Sequence, residues 1–169
     1  MHGVASGIEL PTQGELFMGL GNPDNGDLSM DGGLSRLNIW DYELYSEVLS
    51  LMATKGPLFE NGNVFAWYGV KSKAVGDMTF QETPSDMFNS RTNAEYQMTF
   101  PEASSANFVR LYDVFPDPLT TFAACFWAKI LKHGCSIYAY STNSYDAELQ
   151  SYLYSYELDL QIHHSGSYG

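Results

Sequence analysis

The chain has 169 residues, enough for one domain, and its 20 acidic against 8 basic residues give a net charge of −12, which excludes phosphate backbones and anionic lipid surfaces as partners by repulsion. With 15 glycines, 7 prolines and 15% aromatic residues, the composition fits a folded, β-rich chain and excludes a disordered one. No apolar run approaches the ~20 residues that span a bilayer, and Met1-His2-Gly3-Val4 has neither the basic nor the apolar region of a signal peptide, so neither segment is expected.

Taken in order, Leu16-Phe17-Met18 predicts a short strand, followed by a loop from Gly19 to Asp27. Asn22, Asp24, Asn25 and Asp27 supply the oxygen donors a hard cation takes, and the glycines permit a sharp turn. Such residues also make ordinary turns. From Gly33 the side chains alternate, Leu37 and Ile39 against Arg36 and Asn38, which predicts a strand ending in a Trp40-Asp41 turn.

Leu44, Val48, Leu51 and Met52 recur at helical spacing, with Ser46 as cap, Glu47 favoured by the helix dipole and Lys55-Gly56-Pro57 as stop. Trp40, Leu44, Val48, Leu51 and Trp67 are expected to form one cluster that holds this helix to a sheet. Val64 to Val70 then predicts a buried strand. Residues 78–97 hold few apolar side chains and predict an irregular linker.

Beyond the linker, strands are expected around Ile137–Tyr140 and Glu148–Tyr154. The last, Tyr156 to Ile162, has the cleanest two-residue period, with Tyr156, Leu158, Leu160 and Ile162 alternating with Glu157, Asp159 and Gln161.

Several motifs carry a resemblance. Asn38-Ile39-Trp40-Asp41-Tyr42, then Gly56-Pro57-x-Phe59, then Gly62-Asn63-Val64-x-x-Trp67 resembles the closing part of a pentraxin domain. Phe100-Pro101, Phe108-Val109-x-Leu111, Phe122 to Trp127, Ser136 to Tyr140 and Asp146-Ala147-Glu148-Leu149 resemble its opening part. The closing part thus precedes the opening part. Residues 1–77 are similar to a C-terminal part, 98–169 to an N-terminal part, and the family's middle is absent. The chain reads either as one permuted domain or as the junction of two tandem domains.

The resemblance implies an all-β jelly-roll sandwich of the concanavalin A-like lectin and pentraxin type, with one short helix. It also implies a non-catalytic, secreted binding module with a pattern-recognition or lectin-like role, homo-oligomeric, taking carbohydrate, phosphocholine-like or other extracellular ligands through calcium. The implied calcium ligands are Asp146 and Glu148 with Asn22, Asp24 and Asp27. Ala147 stands where the family has a calcium-binding Asn, and Gly21 where it has Glu, so the calcium site is degraded and binding weak. A structural or adhesion module without calcium is the alternative.

Other residues admit bland readings. Cys125 and Cys135 would bridge across a hairpin centred near Ile130, but Lys132-His133-Gly134 is the better turn and displaces that register, so a free, buried Cys125 is expected. His163 and His164, adjacent on a strand end, point to opposite faces and suit a surface pair better than a metal site. The tyrosines from Tyr138 to Tyr168 suit cross-strand packing or sugar stacking. Glu157-Leu158-Asp159-Leu160-Gln161 resembles the acidic strand of jelly-roll glucanases, but Gln161 donates no catalytic proton, so no enzyme is expected.

Overall fold

Each strand pairs according to where its apolar face can be covered. The computed structural model describes residues 9–21, 28–55, 60–75, 77–82, 96–142, 145–154 and 157–162. In order these form β1 (Glu15–Met18), β2 (Gly32–Trp40), α1 (Ser46–Lys55), a 3₁₀ helix (Trp67–Lys73), β3 (Ala74–Val75), β4 (Thr79–Glu82) and β5 (Tyr96–Phe100). There follow β6 (Phe108–Tyr112), β7 (Ala123–Ile130), β8 (Cys135–Thr142), β9 (Tyr145–Tyr154) and β10 (Glu157–Ile162).

The strands build a six-stranded sheet in the order β10-β9-β8-β1-β6-β3 and a four-stranded sheet in the order β4-β5-β2-β7, with every pairing antiparallel. Leu16, Met18, Val109 and Tyr140 of the first sheet and Leu34, Leu37, Ile39, Met98 and Phe100 of the second share one buried cluster. Two sheets closing on a common core make a β-sandwich of jelly-roll type. Strands from both halves of the chain alternate within each sheet: β1 lies between β6 and β8, and β2 between β5 and β7.

The Trp-Asp turn is fixed by the segment that follows α1. Trp40 Nε1 donates to the Asn61 carbonyl at 3.1 Å, and Asn63 Nδ2 donates to Asp41 Oδ1 at 2.7 Å. Asn38, 2% exposed, accepts at Oδ1 from the Gly62 and Trp67 backbone amides at 3.3 and 3.2 Å. Its burial is therefore satisfied. Position 62 must be glycine, because a Cβ there would lie 2.0 Å from the Phe65 carbonyl oxygen and 2.4 Å from that of Ile39.

Several local expectations are corrected. Ser46 is the first helical residue rather than the cap, its hydroxyl lying 3.1 Å from Glu47 Oε2. Leu51 is 41% exposed, while Val48, Leu49 and Met52 face Trp40 and Leu44. Leu44 precedes the helix and does not set its face, and Leu51 lies about 100° from the centre of the buried stripe. Trp67 belongs to the main core instead of the helix cluster.

The predicted strand from Val64 to Val70 becomes a 3₁₀ helix from Trp67 onward. Trp67 and Val70, both buried, are three residues apart, the 3₁₀ period, so one turn puts both against the core. Within the stretch expected to be irregular, β4 pairs with β5, and Phe80 packs on the core with its ring edge-on to Tyr96 at 5.7 Å. Finally, β7 and β8 belong to different sheets, so the turn at Lys132-His133-Gly134 connects layers. Cys125 packs beside α1 and Cys135 in the main core, and both are free.

Candidate functional site

The loop that would carry calcium ligands is built on two backbone anchors. The Gly19 amide donates to the Ile137 carbonyl at 2.9 Å, and the Met30 amide donates to the Gly19 carbonyl at 2.8 Å. These bonds hang the stems on β8 and close the loop on itself. Gly19 has φ +78 and sits against the Phe100 ring, where a Cβ would come within 2.1 Å. Glycine is required there on both counts.

The first stem turns toward β9. A Cβ at Gly21 would lie 2.7 Å from Gln150 Nε2; Gln150 is 7% exposed and its Nε2 has no hydrogen-bond partner among the described residues. A buried donor without an acceptor is costly. Just before Gln150 the pairing with β8 shifts. Tyr140 opposes Leu149 and Thr142 opposes Tyr145, so β9 is longer by two residues between these pairs. Such bulges bend a strand out of its ladder and re-aim side chains.

Asp146 and Glu148 lie in this bulged stretch of β9, but their side chains fall outside the described residues. So do Asn22, Asp24 and Asp27 as a whole. The backbone thus brings the stems of the loop next to the bulged segment, and among the described residues no group of three or more metal-ligating side chains occurs.

Residues 97–167 match the family model of the Pentaxin family. Over these residues the chain is similar to the pentraxin family. The matched segment covers β6 to β10 and most of β5; β1 and β2, from outside it, are hydrogen-bonded between its strands. No solved structure matches the chain.

The remaining candidates fall into place by their surroundings. Glu157, Asp159 and Gln161 are exposed on β10, an edge strand. Tyr152 and Tyr154 stack at 6.3 Å, and Tyr140 packs on Phe115 at 4.2 Å, so several of the tyrosines are engaged with other rings. His163 and His164 lie outside the described residues. No helix among the described residues is long and apolar enough to cross a membrane.

One charged group escaped sequence reading. The Glu60 side chain is 6% exposed and pairs with Arg36 Nη1 at 3.3 Å, while its Oε2 has no partner among the described residues. Burial pushes its carboxyl above the usual range, against the pull of Arg36. Glu60 sits in a Gly-Asn segment that reads as a plain turn, and its partner Arg36 has φ +56 at a bulge in β2.

Proposed function

We propose that the chain is one permuted pentraxin-like domain, residues 1–77 and 98–169 joined through 78–97, acting as a non-catalytic binding module outside the cell. In this reading it has a pattern-recognition or lectin-like role, assembles as a homo-oligomer and takes carbohydrate or phosphocholine-like ligands. A weak calcium site formed by Asp146 and Glu148 with Asn22, Asp24 and Asp27 serves that role.

The observation supporting the calcium site is the packing of Gly21 against Gln150, two positions beyond Glu148 on β9. Ala147 and Gly21 supply no side-chain oxygen, so water must complete the 6–8 oxygens that calcium takes. Affinity is then in the weak range, ~10⁻⁴–10⁻³ M. Isothermal titration with calcium, repeated on Asp146→Ala, tests this. A millimolar to submillimolar site lost in the variant is expected. A micromolar site lost in the variant would show a complete ligand set, and absence of binding would favour a structural or adhesion module without calcium.

A further inference from the structure

A small pocket of about 140 Å³ lies at the end of β1, between Gln13, Glu15, Tyr112, Asp113, Ser141 and Thr142. Its wall follows from register. Glu15 pairs with Tyr112 on one side and Ser141 on the other, and directly paired residues of antiparallel strands project to the same face. Since Leu16, Leu111 and Tyr140 face the core, the row Tyr112, Glu15, Ser141 faces away from it.

The pocket is preorganised by buried groups beneath it. The Tyr140 hydroxyl, with its residue fully buried, donates to the Pro11 carbonyl at 2.6 Å and accepts from the Gly14 amide at 2.9 Å. A Cβ at Gly14 would lie 2.3 Å from the Tyr140 ring. The Asp113 amide in turn donates to the Gly14 carbonyl at 3.1 Å. Arg110 grips Glu15 through two bonds, Nε and Nη2 donating at 2.8 and 2.7 Å, and its guanidinium lies 4.9 Å from the Tyr112 ring centroid.

Gln13 and Asp113, at φ +62 and +51, are two of three non-glycine residues with positive φ among the described residues, and both line this pocket. Backbone held in that region gathers where surrounding structure sustains it for a purpose.

We propose that this pocket binds a single hydroxyl-rich six-membered ring, one sugar unit, without calcium. A cavity of this order takes one such ring. The lining combines the carboxylates of Glu15 and Asp113, which only accept, with the hydroxyl of Ser141 and the amide of Gln13, which also donate. Sugar hydroxyls do both, whereas an ammonium group would leave the donors unmet. Arg110 is committed to Glu15, so no free cation among the described residues lining the pocket favours an anion. The site stands apart from the calcium ligands proposed above and needs none of them.

Saturation-transfer NMR with glucose, galactose, mannose and N-acetylglucosamine, in excess EDTA, tests this. Transfer to at least one sugar is expected, weakened at least ~10-fold in Asp113→Gly, which removes the carboxylate where glycine accepts the backbone conformation. Ser141→Ala should weaken it as well and carries the test if the first variant does not fold. No transfer to any sugar, transfer that appears only with calcium, transfer unchanged in the folded variants, or displacement by methylammonium would each overturn the proposal.

Discussion

Trp67 and Tyr96 hold one another by reciprocal hydrogen bonds. The Tyr96 hydroxyl donates to the Trp67 carbonyl at 2.8 Å, Trp67 Nε1 donates to the Tyr96 carbonyl at 3.2 Å, and the rings stack at 5.0 Å. The Lys71 amide donates to the same hydroxyl at 3.0 Å. This lock ties the 3₁₀ helix of the first half to β5 at the start of the second.

Burial pushes the Tyr96 phenol up to about 12, although the bonded backbone groups of Lys71 and Val70 pull it down. A raised acid pKa means that the folded state holds its proton longer than the unfolded one, so this contribution is intact below pH ~10 and is lost as pH rises toward the folded value. Tyr96→Phe strands the Trp67 carbonyl and should cost about 1–3 kcal/mol at neutral pH. Urea titrations from neutral to alkaline pH should show a shallower alkaline decline for the variant than for the wild type.

The helix cluster makes a contrast between neighbours. Met52, 6% exposed beside Trp40 and Leu44, should cost ~2–5 kcal/mol on truncation to alanine. Leu51, facing solvent, should change stability by about 0.5 kcal/mol or less on the same substitution. Equal losses in chemical denaturation would mean that α1 packs by another face.

Glu60 gives a second pH signature, at the acidic end. Its raised carboxyl pKa makes the folded state bind the proton more tightly, so stability contributed by this group falls as pH rises from the ordinary value of 4.5 through the folded one. Glu60→Gln should remove that negative slope. Melting temperatures measured at close intervals above pH ~4.5 test this, and identical slopes for both proteins would contradict it.

What the sequence made legible was what local rules govern. Leu37 and Ile39 alternate because one face of β2 is buried, and Trp40, Gly62 and Asn63 stand out because each makes a contact few other residues allow. The 3₁₀ turn was missed because Val64 to Val70 is apolar enough for a strand and only the spacing of Trp67 and Val70 says otherwise. Phe80, isolated among polar residues, gave no period, and Tyr96, which continues the alternation of Met98 and Phe100, fell inside the stretch read as a linker, yet β4 and β5 pair around them. Glu15, Tyr112 and Ser141 meet through register alone, so no local motif could have joined them.

The placement of β1 between β6 and β8 also governs when the protein can become itself. Glu15 leaves the ribosome long before Tyr112 and Ser141 exist to flank it, and β2 likewise waits for β5 and β7. Neither early strand can satisfy its backbone in the meantime, and long loops must close before any sheet is complete. A nascent chain of this design emerges with two bare strand edges and sticky apolar faces, so its hazard is aggregation during synthesis.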